Sequence, residues 1–153
     1  MAKPEVNSPI DRHFWYQIHK RLFSKVWSWA GEVRGHELGN TDFLMPHEIR
    51  PALKQIEDDV KYWMEHNTYP LTEIATRLHE RLLTIHPFAN GNGRFSRIVV
   101  DYFCSRNKLQ QTNWGRRQSA DPRRRRQKYI EGILKARKEY DFQDLEAFIF
   151  GQE

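Results

Sequence analysis

Apolar side chains recur every three or four residues along most of this chain, and that spacing constrains its fold more than any other feature. Residues three or four apart share one face of an α-helix, so each apolar stripe predicts a helix with one buried side. Pro46 precedes the second stripe, and Pro87 disfavours helical geometry at the residue before it. The expected helices cover about 10–26, 47–66, 72–85, 94–108, 122–138 and 143–150. The sequence therefore predicts an all-α fold.

Two regions need separate expectations. The segment 33–45 breaks the helical spacing and carries Gly35, Gly39 and Asn40 between short apolar stretches, which predicts a loop or a short β-hairpin. The fifth helix is expected to turn four apolar side chains inward, namely Tyr129, Ile130, Ile133 and Leu134. With no internal repeat and no Pro- or Ser-rich linker, we expect one domain over residues 10–153, and residues 1–9 are a candidate disordered N-terminus.

Hydropathy and cysteine content exclude several classes of protein. A mean hydropathy of −0.84 and the lack of a long apolar stretch argue against an integral membrane protein. Cys104 is the only cysteine, which excludes an internal disulfide and a multi-cysteine zinc cage. No secretory leader is visible at the N-terminus, so a cytoplasmic protein is expected.

Positive charge is concentrated in the C-terminal third. Between Arg106 and Lys138 there are 12 Lys and Arg against 2 Asp and Glu, whereas the whole chain has a net charge of only +5. Such a patch suits an anionic partner, whether nucleic acid, nucleotide or an acidic protein face. For the run Arg123–Arg126 taken alone, an ordinary solvated helix surface is the preferred interpretation.

Residues 86–97, HPFANGNGRFSR, carry the chemistry. A glycine-rich loop that leads into a helix places consecutive backbone N–H groups at a helix N-terminus, which is a ready anion site. Arg94 and Arg97 are three residues apart and are expected to share one face, directed at the same anion. His86 at the rim could take a proton from an incoming hydroxyl group. Each feature alone is more often a plain turn, cap or solvated face, but their combination points to polyphosphate chemistry.

This segment resembles the signature of the Fic domain family, H-x-F-x-[acidic or Asn]-G-N-G-R-x-x-R. Upstream, VWSWAGEVR at residues 26–34 resembles the family's VWxWAGxxR segment, and the residues before His86 resemble its approach helix. The similarity runs from about Phe14 to the C-terminus and is greatest to the subgroup called mobile mystery protein B. It implies a single Fic-type helical bundle with a short β-hairpin flap.

The resemblance implies a protein adenylyltransferase, an enzyme that moves AMP from ATP to a Ser, Thr or Tyr hydroxyl of a target protein or of itself, with Mg²⁺. In that reaction His86 would be the general base. Arg94 would neutralise the departing pyrophosphate, and Arg97 would reach the terminal phosphate. In-line attack at phosphorus requires this combination of proton removal and charge neutralisation.

The loop residues receive their roles from the same resemblance. Asn92 would hold the α-phosphate, together with the backbone of Gly91 and Gly93. Asn90 stands where many members of the family have a metal-binding Asp or Glu. It would still offer a carbonyl oxygen to Mg²⁺, but the ion would depend more on the phosphates of ATP.

Partners are implied as well. The 33–45 segment matches the family's flap in position, so a target segment is expected to dock near Leu38–Phe43 as an added strand. The family's inhibitory motif, [Ser/Thr]-x-x-x-Glu-[Gly/Asn], has no match in this sequence. An antitoxin-like inhibitor protein would then restrain the enzyme, unless the chain acts without self-inhibition or is a truncated form. Family analogy also places it in a bacterial cytoplasm.

Two alternatives remain open. A Fic-type kinase or another phosphate-group transferase would keep the fold and change the transferred group. A non-catalytic protein could instead bind nucleic acid through the basic C-terminal region, and it would not need His86 or Arg94.

Overall fold

The computed structural model describes residues 11–38 and 43–151, which form six α-helices and, within those ranges, no strand. The helices are α1 (Arg12–Phe23), α2 (Pro46–Glu65), α3 (Leu71–Ile85), α4 (Asn92–Arg106), α5 (Pro122–Glu139) and α6 (Gln143–Phe150). The all-α prediction is confirmed, and the helices begin close to their predicted positions. Residues 1–9, the candidate disordered N-terminus, lie outside the described ranges.

Local signals explain where the helices begin and end. The side chain of Asp11 accepts a hydrogen bond from the Phe14 backbone N–H at 2.9 Å and caps α1. Asp121 caps α5 in the same way, with Pro122 in the first turn, where its missing N–H costs nothing. At the end of α3, His86 adopts a left-handed conformation directly before Pro87, so the chain leaves the helix there.

Helix α3 lies at the centre of the fold. It packs against α2, α4, α5 and α6, and its most extensive contact is with α4. Its buried face includes Ile74, Leu78, Leu82 and Ile85, each at most 2% exposed. Because α3 and α4 pack against each other, the short loop between them is fixed at both ends.

The predicted inward face of α5 is partly wrong. Ile133 is buried, but Ile130 and Leu134 are 43% and 42% exposed. The helix instead approaches α6 through Gly132, where a Cβ atom would lie 3.2 Å from the Leu145 backbone. Residues two positions apart lie on nearly opposite sides of a helix, so Ile130 and Leu134 face away from this contact and remain at the surface.

The segment 33–45 is irregular where it is described. Residues 33–38 and 43–45 contain no strand, and the tip where a hairpin would turn, residues 39–42, lies outside the described residues. Across the described ranges, no helix combines the length and apolarity needed to cross a bilayer.

Buried histidines predict an acid-sensitive fold. Burial, and then the charge of Arg97, lower the pKa of His79 to about 3, while burial and then Arg34 lower the pKa of His86 to about 4. The folded state therefore favours the neutral rings. Their contribution to the free energy of unfolding is complete above the ordinary pKa of 6.5 and declines as pH falls toward those lowered values. Each ring gives a slope of up to about 1.4 kcal/mol per pH unit.

Urea unfolding between about pH 7 and pH 5 measures this loss. The variant His79→Gln keeps a side chain that can pair with the Tyr129 hydroxyl but removes one titrating group. Its stability should therefore depend less on pH than that of the wild type. Parallel pH curves for the two proteins would show that His79 is not held neutral by the fold.

Candidate active site

The loop that connects α3 and α4, residues 86–91, contains two left-handed residues. His86 has φ 50° and ψ 62° at the end of α3, and Gly91 has φ 79° immediately before α4. A Cβ atom on Gly91 would lie 2.5 Å from Cε2 of the buried Phe23 ring. Glycine is therefore required at position 91 both by its backbone conformation and by the lack of space.

The side chain of Asn92 closes this loop on itself. Its Oδ1 accepts from the Phe88 N–H at 3.0 Å, and its Nδ2 donates to the Phe88 carbonyl at 2.8 Å. Asn92 is 4% exposed and Phe88 is fully buried. The structure thus gives the Asn92 side chain a task different from the phosphate contact that the resemblance implies, and leaves its backbone N–H to face an anion.

His19 of α1 holds the α3–α4 loop in place by a ring contact and a hydrogen bond. Its imidazole is fully buried and stacks on Phe88, with ring centroids 3.7 Å apart. Nδ1 accepts from the Gly31 N–H at 2.9 Å, so Nε2 carries the proton and donates to the Asn90 carbonyl at 2.9 Å. Burial lowers the pKa of His19, which keeps this tautomer neutral.

The N-terminus of α4 is open to a ligand. The first helical hydrogen bond runs from the Phe95 N–H to the Gly91 carbonyl, and none of the described side chains caps the helix. The N–H groups of residues 92–94 precede that bond and lie at the positive end of the helix dipole. Gly93 is exposed, and a Cβ atom there would have no neighbour within 4 Å among residues 11–38 and 43–151. Residue 93 thus leaves space in which an anion could approach the backbone.

The two arginines of the motif do not lie against the same surface. Arg94 is exposed, with its guanidinium carbon 5.7 Å from the ring centroid of Phe23 in α1. The guanidinium carbon of Arg97 lies 4.9 Å from the Tyr129 ring and 5.2 Å from the Trp114 ring. The predicted common face is therefore divided between two parts of the fold. That arrangement suits an extended anion better than a single phosphate.

His86 presents a neutral imidazole. Its ring stacks on Phe43 with centroids 3.9 Å apart, and it is half-buried at the rim of the loop. Burial, followed by the positive charges of Arg34 and Arg137, lowers its pKa to about 4. At neutral pH the ring can accept a proton, although its basicity is reduced.

Arg34 is a site residue whose role the sequence did not reveal. It is 4% exposed and donates through Nε to the His86 carbonyl at 2.8 Å, and its own N–H donates to the Pro87 carbonyl at 3.0 Å. Its guanidinium also donates to the carbonyls of His36 and Leu44, which lie on both described limbs of the 33–45 segment. Arg34 therefore ties that segment to the loop. The one sequence signal was its place at the end of VWSWAGEVR.

A metal ion would find few protein ligands here. Asn90 is exposed, and its Oδ1 already accepts from the Gly91 N–H at 2.7 Å. Within residues 11–38 and 43–151, no group of three or more His, Cys, Asp or Glu side chains is placed to hold a metal. Mg²⁺ commonly binds one or two carboxylates together with substrate phosphates. Any Mg²⁺ ion at this loop would therefore depend mainly on the phosphates of a bound substrate, with Oδ1 of Asn90 as one protein ligand.

Comparison with known proteins identifies similar sequences. The model of the Fic/DOC family matches residues 9–104. The protein adenylyltransferase and cysteine protease IbpA of Histophilus somni is 34% identical over 62 residues, which cover 40% of this chain and 2% of that protein. A uridine 5′-monophosphate transferase of Xanthomonas campestris is 34% identical over 55 residues, which cover 31% of this chain and 10% of that protein. The chain thus spans a small part of the curated relatives that it matches.

Solved structures establish the fold. The type IV secretion system effector protein BepA superposes with a TM-score of 0.73 at 17% identity, covering 96% of this chain and 54% of BepA. The BepC protein of Bartonella tribocorum, solved with bound AMPPNP, superposes with a TM-score of 0.67 at 19% identity, covering 97% of this chain and 80% of BepC.

The two loop glycines should respond differently to alanine. Gly91→Ala forces a side chain into a left-handed conformation and against Phe23, and should cost about 1–3 kcal/mol of stability. Gly93→Ala meets open space in a helical turn and should be neutral, or stabilising by up to about 1 kcal/mol. Urea unfolding measures both. Calorimetry with ATP should show weaker binding for Gly93→Ala despite its intact stability, and the reverse ranking of stabilities would contradict this account of the loop.

Proposed function

The chain belongs to the Fic/DOC family, and from that premise we propose that it is a protein adenylyltransferase, moving AMP from ATP to a Ser, Thr or Tyr hydroxyl. Its curated relatives are named as transferases of nucleotide groups, which supports the broader class of reaction. One observation carries the proposal: a neutral imidazole and the open N-terminus of α4 stand at the two ends of one rigid loop. The first can accept a proton, and the second can bind the phosphate at which the reaction occurs.

The proposed reaction uses few groups. The target hydroxyl oxygen attacks the α-phosphorus of ATP, and the bond from that phosphorus to the pyrophosphate oxygen breaks. His86 takes the hydroxyl proton. The backbone N–H groups of residues 92–94 hold the α-phosphate, while Arg94 and Arg97 neutralise charge on the departing pyrophosphate. Mg²⁺ bound to the phosphates would add further charge neutralisation.

Other reactions on this scaffold are less well supported by its residues. A complete loop, with Gly91, Gly93 and Arg94, favours nucleotide transfer over a kinase-type reaction. UMP transfer is a specific competitor, because one curated relative is named for it. A purely nucleic-acid-binding protein would have no use for a neutral His86 beside an open helix terminus.

The protein substrate would approach along the 33–45 segment. Phe43 stacks on the His86 ring, and Arg34 binds the segment to the loop, so a peptide lying there would place a hydroxyl group near the imidazole. This is the proposed docking position near Leu38–Phe43, of which residues 39–42 lie outside the described residues. An antitoxin-like protein that restrains the enzyme is also part of the proposal.

Intact mass spectrometry tests the chemistry. Wild-type protein incubated with Mg-ATP, alone or with candidate target proteins, should yield a species heavier by one AMP. His86→Ala should reduce turnover by about 10²–10⁴-fold while ATP binding persists, because the general base is lost and the anion site is kept. His86→Asn is the matched control for backbone strain, since Asn tolerates the left-handed conformation.

Different masses separate the alternatives. A gain of one phosphate would support a kinase, and a gain of UMP from Mg-UTP would support uridylyl transfer. Normal AMP transfer by both His86 variants would remove His86 from the mechanism.

Asn90→Asp tests the metal contact. The carboxylate can still accept from the Gly91 N–H and adds a negative charge where Mg²⁺ would lie, so Mg²⁺ should bind more tightly in the presence of ATP. Calorimetric titration of Mg²⁺ into the ATP complex measures this, with Asn90→Ala as the control that lacks the oxygen ligand. Equal Mg²⁺ affinities in all three proteins would show that residue 90 is not at the metal.

A further inference from the structure

A basic hollow of about 270 Å³ lies beside α4, next to the candidate active site. We call it the arginine pocket, and its polar and aromatic walls consist of Arg97, Arg116, Arg125, Arg126, Trp114 and Tyr129. No acidic residue that the structure describes lines it. In the part of the chain that the structure describes, no carboxylate forms an ion pair with any of these four arginines. Four cations around one hollow repel each other, and a bound anion would relieve that repulsion.

Neighbouring aromatic rings hold Arg97 in position on one side of the arginine pocket. The Arg97 guanidinium lies against the rings of Tyr129 and Trp114, which restrains it. The Tyr129 hydroxyl is in turn 2.7 Å from Nε2 of the fully buried His79. A cation that is already positioned loses less conformational entropy when it binds an anion.

The opposite wall is attached to α6. Gly115 is buried, with φ 76°, and its N–H donates to the Phe148 carbonyl at 2.7 Å. A Cβ atom there would collide with the Phe148 ring. The turn that carries Trp114 and Arg116 is therefore fixed against α6. The backbone of Arg116 is held in place by that contact.

The structure divides the run Arg123–Arg126. Arg125 and Arg126 line the arginine pocket, whereas Arg123 and Arg124 line a separate hollow together with the acidic Asp121 and Glu131. The charge of the run is thus not one continuous basic surface. A nucleic-acid backbone would require such a surface, whereas a compact anion needs only the pocket.

Helix α4 links the arginine pocket to the α3–α4 loop, because residues 92–94 begin this helix and Arg97 lines the pocket. Arg97 follows Arg94 by three residues, about 4.5 Å of helix rise. A phosphate chain held by the N–H groups of residues 92–94 and extended past Arg94 would therefore reach Arg97 at the edge of the pocket.

We propose that Arg116, Arg125 and Arg126 extend the donor site by holding the terminal phosphates, the part that leaves as pyrophosphate. The proposal rests on the proposed function. It concerns residues that lie beyond residue 104, where the family match ends. The phosphate-rich end of the donor, more than its base, then determines how tightly it binds.

Calorimetry with inorganic tripolyphosphate, ATP and AMP tests the pocket. The double variant Arg125→Gln/Arg126→Gln should weaken tripolyphosphate and ATP binding by about tenfold or more, and should change AMP binding by less than about twofold. The matched control is Arg123→Gln/Arg124→Gln, which removes the same charge from the same helix on another face. It should alter tripolyphosphate binding by less than about threefold. Urea unfolding of both variants confirms that they are folded.

Three results would overturn the proposal. Equal losses in the two double variants would show that only net charge matters. Unchanged tripolyphosphate binding in both would show that the pocket does not bind phosphates. Binding of a short DNA duplex but not of tripolyphosphate, lost equally in both variants, would assign the basic surface to nucleic acid instead.

Failure of the pocket and failure of the proposed function give different results. If AMP transfer occurs and Arg125→Gln/Arg126→Gln transfers AMP with an unchanged KM for ATP, the pocket is wrong and the function stands. If tripolyphosphate binding depends on Arg125 and Arg126 but no protein receives AMP, the function is wrong and the pocket stands.

Discussion

The buried imidazole of His19 joins the parts of this molecule on which the candidate site depends. It stacks on Phe88, accepts a hydrogen bond from Gly31 and donates one to Asn90, so α1, the segment after it and the α3–α4 loop form one unit. Both ring nitrogens are used, and only the neutral tautomer can use them in this way. A polar ring at the centre of an apolar core is stable because its two nitrogens are paired with backbone groups.

The strained backbone conformation in this loop occurs at the proposed general base. His86 has a left-handed conformation that a non-glycine residue adopts at a cost, and the Arg34 hydrogen bond to its carbonyl helps to hold it there. The same guanidinium binds both described limbs of the 33–45 segment. The orientation of the proposed base and the position of the proposed substrate-docking segment are therefore set by one buried side chain.

Contacts between sequence neighbours were predictable, and contacts between distant residues were not. The helices follow from apolar spacing, and the loop from contiguous residues. His19 meets Asn90 across 71 positions and Arg34 meets His86 across 52, which no local pattern encodes. The prediction that Ile130 faces inward is wrong because the packed face of α5 is set by a backbone contact at Gly132 and not by the size of the side chains.

Burial and two nearby arginines, neither of them assigned to phosphate, weaken the proposed base. Burial lowers the pKa of His86 first, and the charges of Arg34 and Arg137 lower it further. The charge of Arg137 is partly compensated by Glu80, 3.2 Å away, whereas the described partners of the Arg34 guanidinium are neutral carbonyl oxygens. A polyphosphate bound beside the loop adds negative charge near the imidazole and opposes the effect of both arginines. Nucleotide binding would thus raise the pKa of His86 toward its ordinary value, so that the base becomes stronger once the donor is in place.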